Sequence, residues 1–143
     1  MAIVVLRYGF DLGAIALQES VLYMHATSFM LGIAYTLKHD EHVRIDIFYS
    51  RLSDNGKTFV NLSGHILFLL PCALTFGVLS LNYVSASWRI LEGSPEIGGI
   101  PAVFLLKSLI PLMALTLIAQ GLAEIGRAVL TLKAALPPTR RRT

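Results

Sequence analysis

Three long apolar stretches separated by short polar segments make up most of this chain. They cover approximately residues 20–37, 58–83 and 104–122, and an amphipathic pattern continues from the third toward residue 132. A helix needs roughly 20 apolar residues to cross a bilayer, whereas a membrane β-strand needs only about 9–11 of alternating polarity. The pattern therefore predicts an all-α membrane protein with three full transmembrane helices. Pro71 and Pro111 are each expected to kink the helix that contains them.

Polar and turn-forming residues mark the two connections between these spans. A charged island follows the first span, and Asp46 at its end is a suitable N-cap for a short interfacial helix over residues 45–52. Residues 53–56, Ser-Asp-Asn-Gly, predict a turn, after which Lys57 begins the next span. The second connection, residues 91–101, contains two prolines and three glycines and is predicted to be an irregular loop.

The first residues of the chain form a much shorter apolar stretch. Residues 2–6 are too few to cross a membrane, and Arg7 follows them. We interpret them as the remnant of a fourth transmembrane helix whose beginning is missing, through truncation or a start codon assigned too late. A chain that starts outside and crosses three times is the alternative. Both interpretations predict a single transmembrane domain over residues 1–143.

Basic residues are concentrated in the first loop and after the third span. The second loop carries few of them, with Arg89 before it and Lys107 just inside the third span. The positive-inside rule then makes residues 39–57 and the C-terminus cytoplasmic, in an inner membrane that the chain crosses several times. Trp88 and Tyr83 are predicted to lie at the outer interface, where amphipathic rings are favoured.

Composition supports the membrane assignment and excludes other classes. Only 15% of residues are charged, against about 25% in soluble domains, and the mean hydropathy is +0.65. The net charge of +3 does not indicate nucleic-acid binding, because the charges lie at the ends of spans rather than on one surface. The single cysteine, Cys72, forms no intrachain disulfide.

No motif in the sequence indicates an enzyme. There is no nucleophile elbow, phosphate-binding loop or dinucleotide fingerprint, and we predict no catalytic residue, cofactor or metal. His39, His42 and Asp46 have a spacing that a zinc ion could use, but a solvated loop is the favoured interpretation. Lys107 is expected to pair with Glu92 or Glu96.

Two histidines in the spans raise the alternative of a redox anchor. His25 and His65 could each supply one axial ligand to a haem. Their positions along the spans place them ~10 Å apart in depth, which one haem does not easily bridge. The alternative function is therefore a haem- or quinone-associated membrane anchor of a redox enzyme, which a Soret band in the purified protein would reveal.

Several short motifs, in order, resemble one family of transport proteins. The most specific is Ala-Tyr-Thr-Leu at residues 34–37 followed by His42, Arg44 and Asp46. Further matches are Val5-Leu6-Arg7-Tyr8, Leu17-Gln18-Glu19, Ser87-Trp88 with Glu92-Gly93-Ser94, Gly98-Gly99-Ile100-Pro101, and Lys107 with Ile110-Pro111. Together they resemble the DctQ-type small membrane subunit of the tripartite ATP-independent periplasmic (TRAP) transporters.

This resemblance implies a partner set and a function. A DctQ-type subunit pairs with a large permease subunit in the bacterial inner membrane, and a periplasmic binding protein delivers an organic acid that an ion gradient drives inward. The family normally has four spans and starts inside. The resemblance implies motif or interface roles for six residues: His42, Arg44, Asp46, Trp88, Glu92 and Lys107. It implies that this chain scaffolds the large subunit, which agrees with the lack of paired acids or a glycine-broken segment at mid-membrane.

The predicted topology is testable by cysteine labelling. In a Cys72→Ser background, Asn55→Cys should react only with reagents that reach the cytoplasm, and Gly98→Cys only with reagents outside. The measurement is labelling by an impermeant maleimide in intact cells and in inverted vesicles. Labelling of both positions from outside would contradict the topology.

Overall fold

A computed structural model of the protein describes residues 4, 8, 15–39 and 49–135 as helices and short connections. The helices are α1 (Ile15–Lys38), α2 (Asp54–Gly64), α3 (Leu70–Arg89) and α4 (Val103–Ala135), and one π-helical turn (His65–Leu69) joins α2 to α3. The predicted all-α fold is confirmed for these residues. The predicted remnant of a fourth span and most of the predicted interfacial helix lie outside them.

Within the described ranges, two helical segments are long and apolar enough to cross a membrane. They are Asp54–Arg89, of 36 residues, and Val103–Lys133, of 31 residues. They match the second and third predicted spans and extend beyond them, because flanking polar residues continue the helical hydrogen bonding. Helix α1 has 24 residues, or ~36 Å at 1.5 Å per residue, but it is not among the segments that meet the apolarity requirement. Its crossing of the membrane stays a prediction.

Helix α2 begins earlier than the sequence predicted. The turn expected at residues 53–56 is instead the first turn of the helix, which starts at Asp54. Ser53 is the N-cap, and its side-chain oxygen accepts a hydrogen bond from the Gly56 N–H at 3.3 Å. Serine and aspartate favour turns and helix starts for the same reason, since their short side chains bind nearby backbone N–H groups.

The π turn lies immediately before Pro71. Its last hydrogen bond runs from the Leu70 N–H to the His65 carbonyl, five residues back. A proline has no N–H to donate, and its ring cannot fit against the carbonyl four residues earlier. A widened turn relieves that clash, so the structure has a π turn just before Pro71, where the sequence predicted a kink. Pro111 lies inside α4, which remains helical on both sides of it.

Helix α4 is the centre of the bundle and packs against α3, α1, α2 and the π turn. The face that α3 turns toward it consists of small residues three or four positions apart, of which Ala73, Ser80, Val84 and Ser87 are buried. Opposite lies Ala114, which is 1% exposed. A Cβ atom added at Gly77 would lie 3.3 Å from the Ala114 Cβ, so the two backbones approach closely.

Large apolar side chains point outward rather than inward. Phe68 is 75% exposed, Leu79 70% and Leu115 63%. Water would penalise this arrangement, whereas a lipid environment does not. The polarity of the surface therefore agrees with two helices that lie in a bilayer and pack through their small residues.

The contact between α3 and α4 gives a testable prediction. Gly77→Leu should force the helices apart at Ala114 and destabilise the protein by about 1–3 kcal/mol, as overpacked interiors do. Gly32→Leu is the matched control, because a Cβ at Gly32 meets nothing within 4 Å. The measurement is the thermal midpoint in detergent by circular dichroism. Equal midpoints for the two variants would contradict the close packing.

Candidate functional site

The loop between α3 and α4 is held by an ion pair with the start of α4. Glu92 Oε2 lies 2.5 Å from Lys107 Nζ, and the two side chains are 32% and 15% exposed. The Lys107 ammonium also lies 4.1 Å from the centre of the Tyr83 ring on α3. Lys107 thus combines a charge-assisted hydrogen bond with a cation–π contact, and it joins α3, the loop and α4.

The end of α3 places Glu92 for this pair. The Glu92 N–H donates to the Ser87 carbonyl at 3.1 Å, and the Leu91 N–H to the Trp88 carbonyl at 3.3 Å. This is the hydrogen-bond pattern of a Schellman cap, which needs a left-handed residue at its turn. Leu91 takes that conformation with φ 46°, where glycine is usual. The cap reverses the chain and directs the Glu92 side chain toward α4.

A second carboxylate ties α1 to the same loop. Glu19 accepts a short hydrogen bond from the Ser94 hydroxyl and another, at 2.5 Å, from the Ile100 N–H. A Cβ atom on Gly99 would lie 2.8 Å from Glu19 Oε1. Glycine at this position therefore lets the carboxylate approach the loop backbone.

Trp88 forms a third link between α3 and α4. Its indole Nε1–H donates to the Ser108 hydroxyl at 2.8 Å. Its ring meets the Phe104 ring edge-on, with centroids 4.7 Å apart. The indole is 45% exposed and amphipathic, which is the typical state of a tryptophan at a membrane interface.

The two carboxylates that bind the loop are both held in the ionised form. The hydrogen bond from Lys107 is the main reason that the pKa of Glu92 lies below its ordinary value of 4.5. The hydrogen bond from Ser94, and then that from the Ile100 N–H, lower the pKa of Glu19. Carboxylates that are paired with such donors stabilise a structure and are poor proton acceptors, so this cluster braces the loop rather than performing acid–base chemistry.

The structure brings together three of the six predicted motif residues. Trp88, Glu92 and Lys107 lie at one end of the bundle, and Lys107 pairs with Glu92 rather than Glu96. The other three, His42, Arg44 and Asp46, lie outside the described residues, so the zinc alternative at His39, His42 and Asp46 is not tested. Among the residues that the structure does describe, no three histidine, cysteine or acidic side chains form a group that could hold a metal.

Sequence reasoning missed the role of Glu19. It is the acidic residue just before a span without charged residues, and that isolation was the available signal. Its partners lie 75 and 81 residues further along the chain, so no local pattern identifies them.

The opposite end of the bundle carries a local ion pair on α4. Arg127 donates to Glu124 Oε1 at 2.9 Å, and Gln120 donates to the same oxygen at 2.8 Å. The two histidines of the redox alternative belong to different environments. The His25 ring stacks on Phe29 within α1, with centroids 5.9 Å apart, and His65 begins the π turn.

Comparison with known proteins gives one match. The family described as "Tripartite ATP-independent periplasmic transporters, DctQ component" matches residues 1–131. The chain has no significant match among curated proteins or among solved structures.

The Glu92–Lys107 pair predicts a specific pH dependence. The folded-state pKa of Glu92 is lowered, so its stabilisation is present above pH 4.5 and is lost as the pH falls through the lowered value. Glu92→Gln should therefore lower the thermal midpoint at pH 7, and the difference from the unmodified protein should shrink in acid. Glu96→Gln is the control, because no partner of its carboxylate is present among the described residues. The same midpoint for both variants at pH 7 would contradict the bracing role.

Proposed function

Because this chain belongs to the DctQ component family, the small membrane subunit of tripartite ATP-independent periplasmic transporters, we propose that it is a scaffold for the large permease subunit. The observation that carries the proposal is the outward direction of the large apolar side chains on both long helices. Phe76, Val78 and Leu79 on α3 and Leu115 and Leu122 on α4 are all more than half exposed. Such faces suit contact with lipid and with other transmembrane helices.

The position of the charges supports a scaffold over a solute carrier. In α3 and α4 the charged side chains lie toward the ends, namely Arg89, Lys107, Glu124, Arg127 and Lys133. Residues 70–88 and 108–123 contain none. Binding of an organic anion or a cation at mid-membrane usually requires charged side chains or a broken helix with free backbone groups. In the described part of the chain, the π turn is the one irregular segment within a membrane-length helix.

The braced loop gives the scaffold a rigid end. Glu19, Glu92 and Lys107 attach the loop to three helices. The ends of α1, α3 and α4 are thereby held in fixed positions relative to one another. A rigid subunit can restrain one side of a permease whose other parts move. On this proposal the loop faces the periplasm, and residues 39–57 with His42, Arg44 and Asp46 form a cytoplasmic motif that contacts the partner.

The transport step itself is assigned to the other components. A periplasmic binding protein delivers an organic acid, the large subunit carries it with a coupling ion across the inner membrane, and this chain holds the large subunit in its working geometry. The family match gives no support to a haem- or quinone-bearing redox anchor.

Reconstitution tests this division of labour. In proteoliposomes under an inward sodium gradient, uptake of a labelled organic acid should require this chain, the large subunit and the binding protein together. Each component is omitted in turn, and a no-gradient sample is the control. Undiminished uptake without this chain would rule out an essential scaffold, and uptake by this chain alone would overturn the assignment.

A further inference from the structure

An open apolar groove runs between α1 and the α2–α3 segment, with α4 as its floor. It arises because α1 and α3 each pack mainly on α4 rather than on one another. The groove has a volume of about 630 Å³, and its walls include Ile33 on α1, Phe68 in the π turn, Phe76 on α3 and Leu117 on α4. Cys72 also lines it.

The groove ends in a polar pocket near the C-terminal end of α1. This pocket has a volume of about 290 Å³ and contains Lys38, Thr58 and Arg127. Leu37, Asn61 and His65 line both the groove and the pocket, so the two form one continuous cavity. One end is therefore cationic and polar, and the remainder is apolar.

We infer that this cavity binds one anionic phospholipid, with its phosphate between Lys38 and Arg127 and one acyl chain along the apolar groove. An amphiphile with a charged head and an apolar chain matches both parts of the cavity at once. Basic pockets between transmembrane helices are suited to anionic headgroups. The inference rests on the placement of the helices in a bilayer and is independent of the proposed scaffold function.

Charge favours an anionic headgroup. Lys38 has no carboxylate partner among the described residues. The one acidic side chain in the pocket, Glu124, already accepts hydrogen bonds from Arg127 and Gln120. Arg127 uses one of its five N–H donors in that bond and keeps others for a phosphate.

A buried polar atom at the junction points to the same ligand. The Nδ1 atom of His65 is buried and has no hydrogen-bond partner among the described residues. Buried polar groups without partners are rare in folded proteins. Because Nδ1 has almost no exposed surface, it reaches an oxygen of the lipid headgroup or ester linkage only after the His65 ring rotates toward the cavity that it lines, in the tautomer that carries the proton on Nδ1.

A helix from a partner protein fits the cavity less well. The backbone groups of a transmembrane helix are already bonded to one another, so it would need a polar side chain at one particular position to reach the His65 nitrogen. It would also place an apolar surface beside Lys38 unless it carried an acidic residue at that one position. A phospholipid meets both requirements with a single molecule.

Native mass spectrometry of the delipidated full chain tests the headgroup. Dioleoyl phosphatidylglycerol should bind as one tight equivalent, and dioleoyl phosphatidylcholine more weakly. Lys38→Gln with Arg127→Gln should weaken phosphatidylglycerol binding by about fivefold for each charge removed and leave phosphatidylcholine binding unchanged. Arg89→Gln with Lys133→Gln is the charge-matched control outside the cavity and should change neither. Equal binding of the two lipids, or equal effects of the two double variants, would overturn the headgroup site.

The acyl-chain groove is tested separately. Gly64 lines the groove, and Gly64→Leu should reduce the binding of both lipids, whereas Gly32→Leu should not. Circular dichroism checks that each variant keeps its helical content.

Cys72 reports occupancy of the groove, because bound phosphatidylglycerol should slow its reaction with N-ethylmaleimide. An unchanged rate with saturating lipid would overturn the groove assignment, as would a cross-link from Cys72 to the large subunit in the assembled transporter.

Discussion

The close approach of α3 and α4 at Gly77 and Ala114 is the contact on which the rest of the structure depends. Lipid tails are as apolar as leucine, so burying leucine between helices gains little in a membrane. Association must come from dispersion contacts between backbones that lie close together, and this requires small residues at the contact. Ala73, Ser80 and Ser87 continue the same face of α3 and are buried. The large side chains that would form the core of a soluble protein are left free to face outward.

Gly121 extends the same principle to the π turn. A Cβ atom at this position would lie 2.5 Å from Leu69 Cδ2. The lack of a side chain on Gly121 therefore leaves room for the Leu69 side chain of the π turn. Pro71 disrupts regular hydrogen bonding in the preceding turn, and α4 supplies the space that the widened turn occupies. The irregular backbone is therefore supported from outside its own helix, as non-standard backbone in a membrane must be.

Among the described residues, the ion pairs lie at the two ends of the bundle, and their roles differ between the ends. At one end Glu19 and Glu92 bind the loop through long-range contacts that link the ends of three helices. At the other end Glu124 and Arg127 form a local pair on a single helix, and neither Lys38 nor the buried Nδ1 atom of His65 has a partner among the described residues. The first end suits a rigid scaffold, and the second suits contact with the lipid surface.

The sequence by itself determined the fold class, the position of two membrane-length helices and the family. Runs of apolar residues fix helices locally, because in lipid every backbone group must be bonded within its own segment. It also indicated the Glu92–Lys107 pair, since both residues lie near one loop. The sequence did not determine which helix faces meet. The lipid-facing and the buried faces are both apolar, so the periodicity of apolar residues does not distinguish them. The contacts of Glu19, the support of the π turn and the apolar groove were decided by the tertiary structure, since each depends on residues brought together from distant parts of the chain.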